Sequence, residues 1–325
     1  MRAAHRHAAG TIGQAVQRRL DLPVLSAFAG AVLLGSANIV AVRFSNRELD
    51  PLWGAGVRFA IAATVLWTIG VASRRPFPRG RSLRGAVSFG LLAFTGAYYL
   101  CYTGAVEVPS GTAGVLMALV PLLTLLLAAA QKLERFSWQG LVGSLLAVAG
   151  IVVIVSGSPA GGAPIGSVLL IVAAATCASQ AGIVVKRMPA SDVITTNAVA
   201  MAIGATILLG SSVASGESHA TPSSPSVWIA VAFLAFVGSP LLFILYVFVL
   251  HRWTASAASY QFVLFPPVTI VLGALVAGEA VTGGLLLGVP FVMAGVYVGA
   301  LRGNERPADQ PSRSSRRRPE GVSSE

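Results

Sequence analysis

Two apolar runs, residues 111–130 and 138–155, are joined by the charged turn Gln131-Lys132-Leu133-Glu134-Arg135, and the same layout returns 145 positions later. Pro121 falls on Pro266, Thr124 on Thr269, Glu134 on Glu279, Gly143 on Gly288 and Gly150 on Gly295. Alanine and leucine coincidences carry little weight in such apolar sequence; a proline, a glutamate and two glycines at one offset do. A repeat built from long apolar segments predicts one fold made of two similar halves rather than two independent domains.

The apolar segments set the class. Ten runs stand out: 22–42, 51–72, 85–106, 110–130, 138–155, 165–185, 193–213, 226–250, 255–277 and 283–301. A run of about 20 residues spans a hydrocarbon core of about 30 Å as an α-helix. Only 11% of the 325 residues are charged and the mean hydropathy is +0.76, too little polar surface for a water-exposed globule. The expected fold is an all-α integral membrane protein of ten transmembrane helices in two five-helix repeats, 22–155 and 165–301. A Gly/Pro/Ser-rich linker, 156–164, joins them, with a basic tail at 1–21 and a disordered basic tail at 302–325.

The net charge of +11 does not indicate nucleic acid here, because the cations follow a membrane pattern. Alternating the ten spans from an inside N-terminus puts twenty Lys and Arg residues on the inner side. Only Arg43 and Arg47 fall on the outer side, and Arg58 lies within a span. Cationic loops face the cytoplasm, so both termini are expected there, in the cell membrane. Five spans per half is odd, so the halves enter from opposite sides. That is an inverted repeat, which suits rocking about a site near the midplane.

Arg58, about two turns into the second span, has either to face a cavity, carbonyls or an anionic ligand, or to snorkel toward the outer headgroups. Asn38, Tyr99, Tyr102, Gln180, Tyr260 and Gln261 are further in-span polar groups that could converge on a substrate or join helices. Pro121, Pro266 and Pro267 are expected to kink helices that line the interior. Ser137 and Thr282 have the chemistry of helix N-caps, with Glu134 and Glu279 near positive helix ends. Gly143 and Gly150, two turns apart, offer a close-packing face that Gly288 and Gly295 repeat.

No acid lies at mid-depth in any run, and no metalloprotease, serine-hydrolase or Walker pattern occurs. Cys101 and Cys177 sit far apart in apolar sequence. No catalytic residue, cofactor or metal is expected, and the chain does not read as an enzyme.

Several stretches in order carry a family resemblance: Gly35-Ser36-Ala37-Asn38 with Arg43; Pro51 with Arg58-Phe59; and Ser110-Gly111-Thr112-Ala113-Gly114-Val115-Leu116 leading to Pro121, Glu134, Gly143 and Gly150. Pro266, Glu279, Gly288 and Gly295 close the second copy. Over about residues 22–301 the chain resembles the ten-helix EamA-type transporters of the drug/metabolite transporter superfamily. The second copy departs from the first in Ser256-Ala257-Ala258-Ser259, which replaces the Gly-rich entry, and in Gly283, where Trp138 stands. The resemblance implies alternating-access movement of a small metabolite or drug-like solute, often export, with amino acids or other carboxylates compatible with Arg58. The expected partners are that solute, the bilayer and, in an open case, a second copy as a homodimer. The alternatives are a passive channel or membrane scaffold, or an intramembrane enzyme.

Overall fold

The computed structural model describes residues 22–108, 110–155, 164–277 and 283–302; Glu279, Thr282, residues 156–163 of the linker and the tail residues 1–21 and 303–325 lie outside them. The described residues form helices and no strand. In a bilayer every backbone N–H and C=O has to be satisfied within the chain, and an apolar helix does that locally. The helices are α1 Leu22–Ser45, α2 Pro51–Ala72, α3 Arg81–Ala105, α4 Ser110–Met117, α5 Val120–Ala130 and α6 Trp138–Val155. They continue with α7 Ile165–Arg187, α8 Val193–Ser215, α9 Pro225–Arg252, α10 Ala255–Ser259, α11 Gln261–Ala277 and α12 Gly283–Val296. Among the described residues seven rods are long and apolar enough to cross a membrane, α10 and α11 counting together, and three shorter apolar helices accompany them.

Two expected single helices are interrupted. The run 110–130 breaks at a turn over Ala118 and Leu119, and Pro121 sits in the first turn of α5. There its missing N–H removes no intrahelical bond, so Pro121 restarts a helix instead of bending one. The run 255–277 breaks at Tyr260, while Pro266 and Pro267 lie inside α11. α3 and α9 also widen into π-helical turns at Gly90–Gly96 and Leu234–Gly238, positions that overlap under the 145-residue offset.

The packing crosses between the halves. Gly143 of α6 meets Gly295 and Gly299, and Gly150 meets Gly288 and Val292. One index rises as the other falls, so α6 and α12 run antiparallel, and exchanging the halves returns the same pairs. α1 donates the Ser36 hydroxyl to the Phe265 carbonyl of α11 at 3.2 Å, and α7 donates the Ser179 hydroxyl to the Val120 carbonyl of α5 at 3.2 Å. Phe265 and Val120 are themselves 145 apart. The helix that opens each half therefore leans on the proline-bearing helix of the other. α2 packs along α8, where Gly56 admits Leu209 and Gly70 admits Thr195. Phe59, Phe89 and Phe94 form a buried edge-to-face aromatic cluster among α2 and α3.

Ser137 caps α6 through the Gly140 N–H at 3.2 Å. Glu134 lies near a positive helix end as expected, and that end belongs to the other half: its carboxylate is at the start of α10, where Ala255 N–H donates at 2.5 Å. The α5–α6 turn is short, and Lys132 at its centre takes a positive φ of 56°; the Glu134 side chain extends to the facing helix end.

Candidate functional site

α1, α2, α3, α4, α7, α9 and α11 surround a cavity of about 410 Å³, within the range of small-molecule sites. Most of the wall is apolar: Ala93, Ala97, Met117, Leu242, Phe262 and Phe265 are among its residues. It extends along α1 to Arg43, near that helix's C-terminal end, and inward to Tyr246 and Gln261.

The geometry that places Arg58 begins at the entry to α2. Pro51 occupies the first turn, and the next free backbone donors, the N–H groups of Leu52 and Trp53, bond the Glu217 carboxylate at 3.1 and 2.8 Å. Two turns on, Arg58 is only 3% exposed and lines the cavity. It does not snorkel. Its guanidinium carbon lies 4.6 Å from the Phe59 ring centre and 5.0 Å from that of Tyr98, contacts worth about 0.5–2 kcal/mol each depending on desolvation. Arg58 Nε has no hydrogen-bond partner among the described residues. No Asp or Glu is among the described residues lining the cavity. A buried cation without a counter-charge is costly, so this wall favours an anionic group.

Asn38, 7% exposed, and Gln261, 3% exposed, also line the cavity. Asn38 Oδ1 is buried without a hydrogen-bond partner among the described residues and abuts Gly238, in the π-helical turn of α9. Tyr102 lines the cavity as well, and so does Pro266.

The other expected residues lie elsewhere. Tyr99 is 40% exposed and points away from the cavity-lining face of α3. Gln180 pairs with Gln131, whose amide donates to Gln180 Oε1 at 2.7 Å. Tyr260 donates to the Gly140 carbonyl at 3.0 Å and lies 3.0 Å from the Ser144 hydroxyl, locking α6 to the α10–α11 break. Pro121 and Pro267 are not among the lining residues.

Tyr98, Cys101 and Tyr246 line the cavity and were not singled out as site residues from the sequence. For Tyr98 a signal existed: it stands four before Tyr102, one helical turn along the same face, while Tyr99 turns about 100° away. A second groove of about 390 Å³, between α1, α9 and α11, is lined almost wholly by apolar side chains such as Val40, Phe44, Ile229 and Leu272. Among the described residues no group of three His, Cys, Asp or Glu could hold a metal ion.

The EamA-like transporter family matches this chain twice, over residues 22–156 and 165–300. The uncharacterized inner membrane transporter YedA of Escherichia coli (strain K12) is 27% identical over 288 residues, covering 85% of this chain and 92% of the relative. A probable terminal-alkyne amino-acid exporter of Streptantibioticus cattleyicolor is 30% identical over 270 residues, covering 82% and 88%. A crystal structure with 21% sequence identity superposes with a TM-score of 0.73 over 86% of this chain and 97% of the other, a likeness of fold.

Proposed function

Since the chain belongs to the EamA-like transporter family, we propose that it exports a small solute bearing a carboxylate and an apolar body, apolar amino acids among them, by alternating access across the plasma membrane. Ten crossings in two inverted halves, with both termini cytoplasmic, complete this reading. The exchange-related helix pairs and the distribution of Lys and Arg support it. The observation that carries the substrate class is Arg58: buried, unpaired at Nε and set in an apolar wall without an acid. Its guanidinium offers a carboxylate a charge-assisted, bidentate partner, while Phe262, Phe265, Leu242 and Met117 accommodate the apolar part. The relative named a probable amino-acid exporter supports the direction.

The test compares L-leucine and L-phenylalanine with isoamylamine and phenethylamine, the same bodies without the carboxylate, in thermal unfolding of the detergent-purified protein. At about a hundred times its dissociation constant a ligand stabilises the folded state by about 2.7 kcal/mol. Stabilisation by the acids and not by the amines is the expected result. Equal stabilisation by both sets would remove the carboxylate from the reading.

A further inference from the structure

Near the start of the rod Ala255–Val276, before its first cavity-lining residue Gln261, polar contacts join the halves, and one side chain is at their centre. The Glu134 carboxylate accepts from Ala255 N–H at 2.5 Å, from Ser256 N–H at 3.4 Å and from the Ser256 hydroxyl at 2.5 Å. The rod that begins there, Ala255–Val276, supplies Gln261, Phe262, Phe265 and Pro266 to the cavity wall. Glu134 is carried by the turn between α5 and α6 of the other half. Its contact therefore joins the first half to a rod of the second that lines the cavity.

Lys186 adds to the same cluster. Its ammonium donates to the carbonyls of Leu250 at 2.9 Å and Trp253 at 2.7 Å, where α9 ends, and it lies within reach of the Glu134 charge. The carboxylate thus faces the free N–H groups of one helix start and a lysine that holds the preceding helix end. An N-cap serving only α10 would need no residue from 121 positions away; Thr254 already supplies a local one, accepting from Ala257 N–H at 3.1 Å.

We propose that Glu134 is the latch that holds this end of the cavity shut, and that its release from Ala255 and Ser256 opens the path to this side. The proposal rests on the cavity being a transport path. In the closed arrangement the carboxylate and Lys186 tie together α5, α7, α9 and α10. Loss of the carboxylate leaves two N–H groups at a helix start free to take water, which the open arrangement provides and the closed one does not.

The experiment uses Cys101, which lines the cavity, in a Cys177→Ala background, with the full chain in sealed membrane vesicles of each orientation. The probe is methanethiosulfonate ethylsulfonate, an impermeant anionic thiol reagent that suits a cavity lined by Arg43 and Arg58. Without further change, Cys101 is expected to react from the Arg43 side and little from the Glu134 side. Removing charge-assisted hydrogen bonds shifts a closed-to-open balance by about tenfold or more, so Glu134→Ala is expected to raise the rate from the Glu134 side by about that factor. Ser256→Ala, which removes one of the contacts and spares the charge, is expected to raise it less and serves if Glu134→Ala does not fold. Ser137→Ala removes the cap of α6 in the same turn and is expected to leave the rate unchanged. An unchanged Glu134-side rate in both latch variants overturns the proposal, as does an equal rise in Ser137→Ala, which would mark general loosening. Absence of reaction from the Arg43 side in every variant overturns the transport path itself, and the latch with it.

Discussion

Gly143 and Gly295 meet backbone to backbone: a Cβ on Gly143 would lie 2.7 Å from the Gly295 carbonyl oxygen, and one on Gly295 would lie 2.6 Å from the Gly143 carbonyl oxygen. Membrane helices gain nothing from burying apolar surface against each other instead of lipid. Close backbone approach over small residues, with its dispersion contacts, takes that place. The pair is the centre of the α6–α12 contact, and its exchange-related counterpart, Gly150 with Gly288, lies two turns away.

Gly143→Ala is therefore expected to destabilise the protein by about 1–3 kcal/mol, as overpacking does where the obstacle is backbone and cannot rotate aside. Gly166→Ala in the first turn of α7, where a Cβ would meet nothing within 4 Å, is expected to cost nothing or to stabilise slightly. Thermal unfolding in detergent reads both. Equal melting of the two variants would mean that the helices do not approach this closely.

Gln180 and Tyr98 are expected to separate stability from binding. Gln180→Ala breaks the pair with Gln131 and should cost about 1 kcal/mol of stability, with ligand affinity unchanged because Gln180 lies off the cavity. Tyr98→Ala removes a ring beside Arg58 and should weaken carboxylate binding. Ligand-induced melting shifts of the two variants, set against their unliganded melting temperatures, check the contrast.

These two residues also show how far the sequence could be read. Ten apolar runs and their offset announce helices and two similar halves, because length and composition alone decide whether a segment suits a bilayer. Direction around each helix is harder. In α3 the flanking Ala97 and Leu100 are both apolar, so no hydrophobic face tells Tyr98 from Tyr99 and only the one-turn spacing of Tyr98 to Tyr102 separates them. The partner of Gln180 is a loop residue 49 positions away, which no local pattern encodes. The breaks at Ala118–Leu119 and Tyr260 are equally silent in composition, and so are the π-helical turns, whose extra residue is accommodated by the neighbouring helix: Gly90 abuts the Ala200 carbonyl and Gly204 abuts Phe94. Arg58 stood out because a lone cation in an apolar run has few satisfactory environments. Its burial, and not its presence, distinguishes a cavity from a headgroup contact.

Acid should weaken the link between the α1–α2 and α8–α9 loops. The hydroxyl of Ser224 and the backbone N–H of Ser223 donate to Glu48 and hold its carboxyl below the ordinary glutamate value. A lowered folded-state pKa means that the stabilisation is full above the unfolded value of about 4.3 and is lost as pH falls through the lowered folded value. Melting temperature followed from pH 7 downward should fall in that acid window, and Glu48→Gln should flatten this part of the profile. An identical acid profile in Glu48→Gln would assign the loss to other carboxylates.

Arg58→Lys keeps the charge but loses the planar fork and its stacking on Phe59 and Tyr98. It is expected to retain part of the carboxylate affinity, while Arg58→Gln loses about 10- to 100-fold, corresponding to charge-assisted hydrogen bonds of about 1.5–3 kcal/mol. A Lys variant as weak as the Gln variant would show that geometry outweighs charge at this site.

The most direct measurement is counterflow in proteoliposomes, using a radiolabelled apolar amino acid that stabilises the purified protein, with the unaltered chain and Arg58→Gln reconstituted at equal, folded amounts. The account predicts saturable exchange by the unaltered chain and at least a tenfold lower rate at subsaturating substrate in Arg58→Gln. Counterflow by Arg58→Gln at the unaltered rate would contradict the claim that this buried guanidinium receives the carboxylate of the transported solute.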